Sequence, residues 1–372
     1  MVNIGKQQTA ISRERRVFVR APHMAIPSLK SKCARHRKLG MNILLTGGAG
    51  YVGSHTAFVL KNAGFTPVVL DSLVTGHEWA VKYGPFVKAD VSDTEAVRTL
   101  CAGYKPAAAI HFAAFIEVAE SVADPAKYMK NNFHKASHLF EILRENGVNK
   151  VVFSSTAAVY GTPRDGKPIT EDHPLRPINP YGESKLAAEN YLRSLEARGM
   201  RSFALRYFNA AGAAPEEEGI GEAHDPETHL IPNIVNAGLH GKPALRVFGT
   251  DYSTPDGTAI RDYIHVLDLA EAHIAALHFL LEGGDSGVCN LGTGRGTSVR
   301  EAITAVENVL GKKVPVIREG RREGDPPVLV ADSSKAGRIL QWKPRRTLED
   351  IIISAVRWHE STGYRLHSAG RK

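Results

Sequence analysis

The sequence predicts an α/β protein: a doubly wound parallel sheet followed by a smaller, mixed α/β C-terminal lobe. Three observations carry this. From Met41 onward, short apolar runs alternate with helical patterns. The runs are apolar on both faces, as strands covered by helices on two sides require. The rhythm then breaks after about Asn209, where residues 213–228, rich in Gly, Pro and Glu, read as a loop.

The elements follow in order. Strands are predicted at 42–46, 67–70, 86–89, 107–111, 151–154 and 203–206, with helices at 52–63, 94–102, 125–146 and 180–197. Beyond the loop, strands at 245–248, 288–291 and 314–317 mix with helices at 266–281, 299–309 and 348–359. This divides the chain into a dinucleotide-binding domain (41–210), a lobe mainly for substrate (211–360), interleaved with the first, and a tail (361–372).

Composition excludes several classes. Of 372 residues, 43% are hydrophobic and 23% charged, which is ordinary globular composition and not that of a disordered chain. No run of about 18 apolar residues marks a membrane span. Three scattered cysteines, Cys33, Cys101 and Cys289, form no CxxC pair, which argues against a disulfide framework or a zinc site and for a reducing, cytoplasmic setting; no metal is expected. The formal charge of +8 is misleading, because residues 1–40 hold ten Lys and Arg against the single acid Glu14. The body is balanced, so a nucleic-acid partner has no electrostatic basis there. Residues 1–40 read as a functionless basic extension, or as residues upstream of a natural start at Met41, with an organelle transit peptide as the next reading.

The strand 42–46 runs into Gly47-Gly48-Ala49-Gly50-Tyr51-Val52-Gly53 and then a helix. Gly47, Gly50 and Gly53 permit a tight turn, close approach of backbone N–H groups to a pyrophosphate, and close helix–strand packing. Tyr51 and Val52 stand at the helix start. Asp71 follows the second strand, where a carboxylate accepts hydrogen bonds from ribose hydroxyls and repels a 2′-phosphate, so NAD is favoured over NADP. The arrangement is of Rossmann type. Asp90 and Val91 end the third strand; Asp90 would reach the adenine edge or cap the next helix. Phe112, Ala113 and Ala114 follow the fourth, where small residues let backbone approach a cofactor or simply pack.

Tyr181-Gly182-Glu183-Ser184-Lys185 opens a helix after Pro180. Tyr and Lys at i and i+4 share one face, and an ammonium beside a phenol favours the phenolate. The pair then serves as a general base for an alcohol. Thr156, at the end of the fifth strand, adds a hydroxyl able to bond both tyrosine and substrate.

In these segments, and in SSTAAVYG (154–161), LRYFNAAGA (205–213), THLIP (228–232), VFGTDYSTPDGTAIRDYIHVLDLA (247–270) and RREGDPP (321–327), the chain resembles the extended short-chain dehydrogenase/reductase family, within it the UDP-glucose 4-epimerases. The resemblance covers 41 to about 360. It implies NAD held tightly and recycled within each turnover, with a UDP-hexose passing through a transient 4-keto form. Tyr181 would be the base, Thr156 the bridge and Lys185 the third member of the set. The resemblance also implies that Asn131 and Phe208 face the cofactor, and that Asn209, His229, Leu230, Arg246, Phe248, Arg261, Arg322, Asp325 and Leu329 hold the UDP-sugar. Arg261 suits a diphosphate clamp, since a guanidinium forks onto two oxygens; its alternative is an ion pair with Asp262 or a neighbour. Leu329 would lie beside the hexose C2 substituent, or pack in the core. A homodimer built on the helices at 125–146 and 180–197 is implied as well. The chain departs from the family pattern at Ile116, where a lysine is common, at His229, where asparagine is common, and at Arg246.

Dehydratases of the same fold need an acid pair after the strand-five hydroxyl, and here the slot is Ala157-Ala158. A pentose or uronate 4-epimerase stays open. A non-catalytic NAD sensor would have no need of Thr156, Tyr181 and Lys185 together.

Overall fold

The computed structural model describes residues 40–163, 166–322 and 324–364. The basic extension lies outside these, apart from Gly40. In chain order the elements are β1 (Asn42–Thr46), α1 (Tyr51–Asn62), β2 (Thr66–Asp71), β3 (Phe86–Lys88), α2 (Thr94–Tyr104), β4 (Ala108–His111), α3 (Val118–Ala123), α4 (Pro125–Tyr128), α5 (Ala136–Glu145), β5 (Lys150–Thr156), α6 (Pro180–Ser194), β6 (Arg201–Tyr207) and β7 (Asn209–Ala211). There follow α7 (Leu230–His240), β8 (Leu245–Phe248), β9 (Ile260–His265), α8 (Val266–Leu281), β10 (Gly287–Leu291), β11 (Gly296–Ser298), α9 (Val299–Leu310), β12 (Val316–Glu319), β13 (Val328–Leu329), α10 (Ser334–Ile339) and α11 (Leu348–Glu360).

The main sheet has seven strands in the order β10-β6-β5-β4-β1-β2-β3, all parallel. The order reverses between β1 and β4, and ligands of open α/β sheets bind outside the carboxyl ends at such a point. Its central strands are buried: Ile43, Leu44, Leu70, Ile110, Val151 and Val152 are fully enclosed, while the edge strand β3 is not. Two cores flank it, one around Leu45, Val69, Ile110 and Leu205 with α1 and α8, the other around Leu44, Val68, Ala109 and Phe153 with α2, α5 and α6. A second sheet joins β7, β9, β11 and β13, and β8 pairs with β12.

Four expectations need correction. The strand expected at 288–291 in the smaller lobe is β10, which pairs with β6 at the edge of the main sheet. Its partner is about eighty residues away, and periodicity carries no pairing information. The single helix expected at 125–146 is α4, a π-helical stretch at Met129–Lys135, and α5. The strand expected at 314–317 falls at β12, two residues later, since Val314 is buried with Val235 of α7 and Val306 of α9. Within the expected tail, Tyr364 packs edge-on against Trp358, with ring centroids 5.8 Å apart. Among the described residues no helix is long and apolar enough to cross a membrane.

Candidate active site

Strand β5 ends at Thr156, whose Oγ1 accepts the Ala158 N–H at 3.1 Å and hydrogen-bonds the Tyr181 phenol. Helix α6 starts where it does because Asn179 caps it, accepting the Gly182 N–H at 2.8 Å, and Pro180 occupies its first turn. A Cβ on Gly182 would sit 2.7 Å from the Ala158 carbonyl oxygen, so this helix start is pressed against the turn after β5. Tyr181 thus meets Thr156 at the carboxyl edge of the sheet. Lys185, one turn on, is buried and donates to the Ser154 carbonyl at 2.8 Å.

Burial pushes the Tyr181 phenol up to about 12, opposed by its bond to Thr156. Burial pulls Lys185 down to about 7, with Glu189 working the other way. Through the Ser154 carbonyl the lysine also ties α6 to β5. Beneath it lies a network that the sequence reading missed. Arg206 forks onto Glu189 (2.9 and 2.6 Å) and donates to Tyr160 at 3.0 Å, Tyr160 donates to Asn290 at 2.6 Å, and Ser155 bonds Glu189. Glu189 is Lys185 plus four, the one signal that was available.

At the other end of the crevice Gly47 has φ +72°, and a Cβ there would lie 2.5 Å from the Ala113 nitrogen. A Cβ on Gly53 would lie 2.2 Å from the Gly47 carbonyl oxygen. The start of α1, at Gly50, has no side-chain cap and no acid in its first turn, so its amides are left for an anion. Asp71 is buried and accepts the N–H groups of Ala49 (2.9 Å) and Leu73 (2.8 Å); burial raises its pKa, and these bonds oppose the rise. This cradle fits a dinucleotide. Tyr51 donates to the Gly212 carbonyl at 2.6 Å. Val91 is buried, and Phe112 packs against His273. Ala114 and Ile116 are half-buried in the segment after β4, and Val52 is half-buried in the first turn of α1. Asp90 is not the cap of α2, which is Asp93; its carboxylate accepts from Ser92 and, at 2.5 Å, from Lys135. Asn131 is half-buried, whereas its neighbour Asn132 is enclosed, bonding Phe115 at both N–H (2.8 Å) and C=O (2.9 Å) and reaching Ser184 at 3.2 Å.

The residues expected at the sugar and nucleotide gather on the second sheet and its edges. Asn209 on β7 donates to the Asp262 carbonyl at 3.2 Å. Arg261 on β9 pairs with Asp325, and Leu329 on β13 is its register partner. The ion pair weighed as the alternative for Arg261 is thus present, made with Asp325 and not with Asp262, whose carboxylate accepts from Thr293, Gly294 and Ala331. Arg322 lies 4.0 Å over the Phe248 ring. Arg246 is mostly exposed and pairs with Glu319 at 2.9 Å. Phe208 packs on the cluster of Val159, Tyr160 and Ile169, as Leu329 does. Leu230 opens α7. His229 Nδ1 lies 2.8 Å from Glu227, and one atom each of Glu222, His224 and His229 lie within 4.8 Å of one another. The sequence reading expected no metal, and this is a ligand-like cluster it did not see.

Residues 43–292 match the model of the NAD dependent epimerase/dehydratase family. The chain belongs to that family. The UDP-glucose 4-epimerase of Rhizobium leguminosarum bv. trifolii is 49% identical over 321 residues, spanning 86% of this chain and 98% of its relative. The crystal structure of UDP-glucose 4-epimerase from Brucella ovis in complex with NAD has a TM-score of 0.83 at 47% identity, covering 85% of this chain and 98% of that one. The UDP-glucose 4-epimerase from Bifidobacterium longum, solved with NAD+ and UDP, has a TM-score of 0.82 at 35% identity, over 87% and 99%. For this member of the NAD dependent epimerase/dehydratase family, the cofactor is NAD.

Proposed function

We propose that the protein interconverts UDP-glucose and UDP-galactose by reversible epimerisation at C4, through a transient 4-keto sugar, and serves galactose and nucleotide-sugar metabolism. The observation that carries this reading is the Thr156–Tyr181 hydroxyl pair at the carboxyl edge of β5, on the same edge as the Gly47 cradle.

NAD, when bound, takes up the C4 hydrogen with its electron pair and gives it back. Gly47, Gly50, Gly53, Asp71 and the turn at Phe112–Ala114 would hold it, with Lys185 toward the reacting end. Tyr181 accepts the proton of the 4-hydroxyl, directly or through Thr156, and later returns it to the same oxygen. Arg261 and Asp325 bind the nucleotide side, with Asn209, Phe248 and Arg322. The turn after Thr156 offers only Ala157 and Ala158, so no acid stands ready to expel water and the reaction stops at epimerisation. Purified protein incubated with UDP-galactose and no added dinucleotide yields UDP-glucose; the absence of that product overturns the reading. Denatured protein releases NAD rather than NADP, because the Asp71 carboxylate repels a 2′-phosphate.

The functional unit is a homodimer formed by α6 and the 125–146 helices, a two-fold, self-complementary contact. What supports it is that α6 lies along the Met129–Lys135 turn and α5, giving one surface from both. Sedimentation at micromolar concentration showing only monomer refutes it. The buried thiols of Cys101 and Cys289, free of disulfides, support a cytoplasmic location.

A further inference from the structure

The loop before α7 carries Glu222, His224, Glu227 and His229 within eight residues. Glu222 is almost fully enclosed, its side chain 4% exposed. Its Oε1 accepts the N–H groups of Ala223 (2.7 Å) and His224 (2.9 Å) and contacts His224 Nδ1. Its Oε2 faces His229 Nδ1 across 4.0 Å, too far for a hydrogen bond. The same His229 Nδ1 lies 2.8 Å from Glu227 Oε1. The two imidazole rings lie 5.1 Å apart. The scaffold under this group is fixed: the Glu222 carbonyl accepts the Trp358 indole N–H at 2.6 Å, and the cleft beside it is walled by Gly50, Tyr51, Ser54 and His77.

We propose that Glu222, His224 and His229 form a binding site for one divalent first-row cation of the zinc class, with Glu227, whose carboxylate reaches the same His229 nitrogen, supplying a fourth ligand. Two nitrogens and a carboxylate are a zinc donor set, with bonds of about 2.0–2.2 Å to N and O. Two such bonds span the 4.0 Å between Glu222 and His229. The bound ion would fasten this loop beside the glycine turn of α1, at the cofactor end and away from Tyr181.

The test uses untagged, full-length protein freed of metal by chelation and titrated with Zn²⁺ against a chromophoric chelator. One Zn²⁺ per chain is expected. His224→Asn and Glu222→Gln should each weaken binding by more than the roughly 10–100-fold that loss of an outer-shell partner costs. His224→Cys, which keeps a zinc donor, should restore it. Co²⁺ bound to the wild-type chain should show d–d bands without a thiolate charge-transfer band, a readout that holds even where a variant fails to fold. Absence of stoichiometric Zn²⁺, binding unchanged in both His224→Asn and Glu222→Gln, or a Co²⁺–thiolate band that places the ion at a cysteine would overturn the proposal.

Discussion

A methyl group on Gly47 would lie 2.5 Å from the backbone nitrogen of Ala113. The turn after β1 and the turn after β4 therefore touch, and the crevice between them is lined by backbone. Gly47→Ala adds that clash to a backbone at φ +72°, which L side chains rarely adopt. Overpacking of this kind costs about 1–3 kcal/mol. The variant should melt at lower temperature and retain less dinucleotide through purification. Gly50→Ala meets its nearest atom only at 3.4 Å and should be the milder change on both measurements.

Tyr181→Phe keeps the ring and its edge-on contact with Tyr128, at 6.5 Å between centroids, and removes the hydroxyl bonded to Thr156. Epimerisation should fall by roughly 10²–10⁴-fold, the usual loss when an acid–base group is deleted. Dinucleotide content should be unchanged. Initial rates and dinucleotide released on denaturation check both halves; near-normal turnover would remove Tyr181 from its role.

The parts of the site that were legible in the sequence are those set by local rules. A glycine triplet between strand and helix, an acid after the second strand, and a Tyr and Lys four apart on a helix each carry their meaning in their spacing. The rest depends on pairing or on broken regularity. Asn132, which ties the segment after β4 to Ser184, gave no sign of that in its spacing. β7, β9, β11 and β13 are short and partly polar, and only pairing across about 35 to 70 residues makes them a sheet. Glu222, His224 and Glu227 sat in a Gly- and Glu-rich stretch that lacks any period. Asp325 was named for the nucleotide side, but its pairing with Arg261 across 64 residues could not be read from spacing.

Leu329 is half-buried on β13 beside Arg261. If it borders the sugar C2 substituent, the space it leaves admits an N-acetyl group. The wild type should then interconvert UDP-N-acetylglucosamine and UDP-N-acetylgalactosamine as well as the plain hexoses. Leu329→Tyr should lose the first activity and keep the second, a discrimination of about 1–3 kcal/mol from one side chain. Parallel assays on both substrate pairs decide it, and equal loss on both pairs would place Leu329 in the core instead.

Acid should unfold the protein progressively below neutral pH. Burial holds His55 at about 4, His111 at about 3 and His273 at about 4, all neutral in the fold. Once unfolded they titrate near 6.5, so below that pH the unfolded chain binds protons that the folded chain does not. Stability is thus lost as pH falls from about 6.5 toward 4, by up to ~1.4 kcal/mol per pH unit for each histidine. His229, raised to about 9 by Glu227 and Glu222 against its burial, acts in the opposite sense: its contribution is full below 6.5 and is lost as pH rises through 9. Urea midpoints should peak near neutrality; midpoints that stay level between pH 6.5 and 5 would contradict the neutral buried histidines.

The central claim is that the hydrogen removed from C4 stays inside the protein until it returns to the same carbon. UDP-galactose carrying deuterium at C4, incubated with the purified protein in ordinary water and without added dinucleotide, tests it directly. The account predicts UDP-glucose with the deuterium still at C4, seen by mass spectrometry and proton NMR. UDP-glucose that has exchanged its label with water would contradict it.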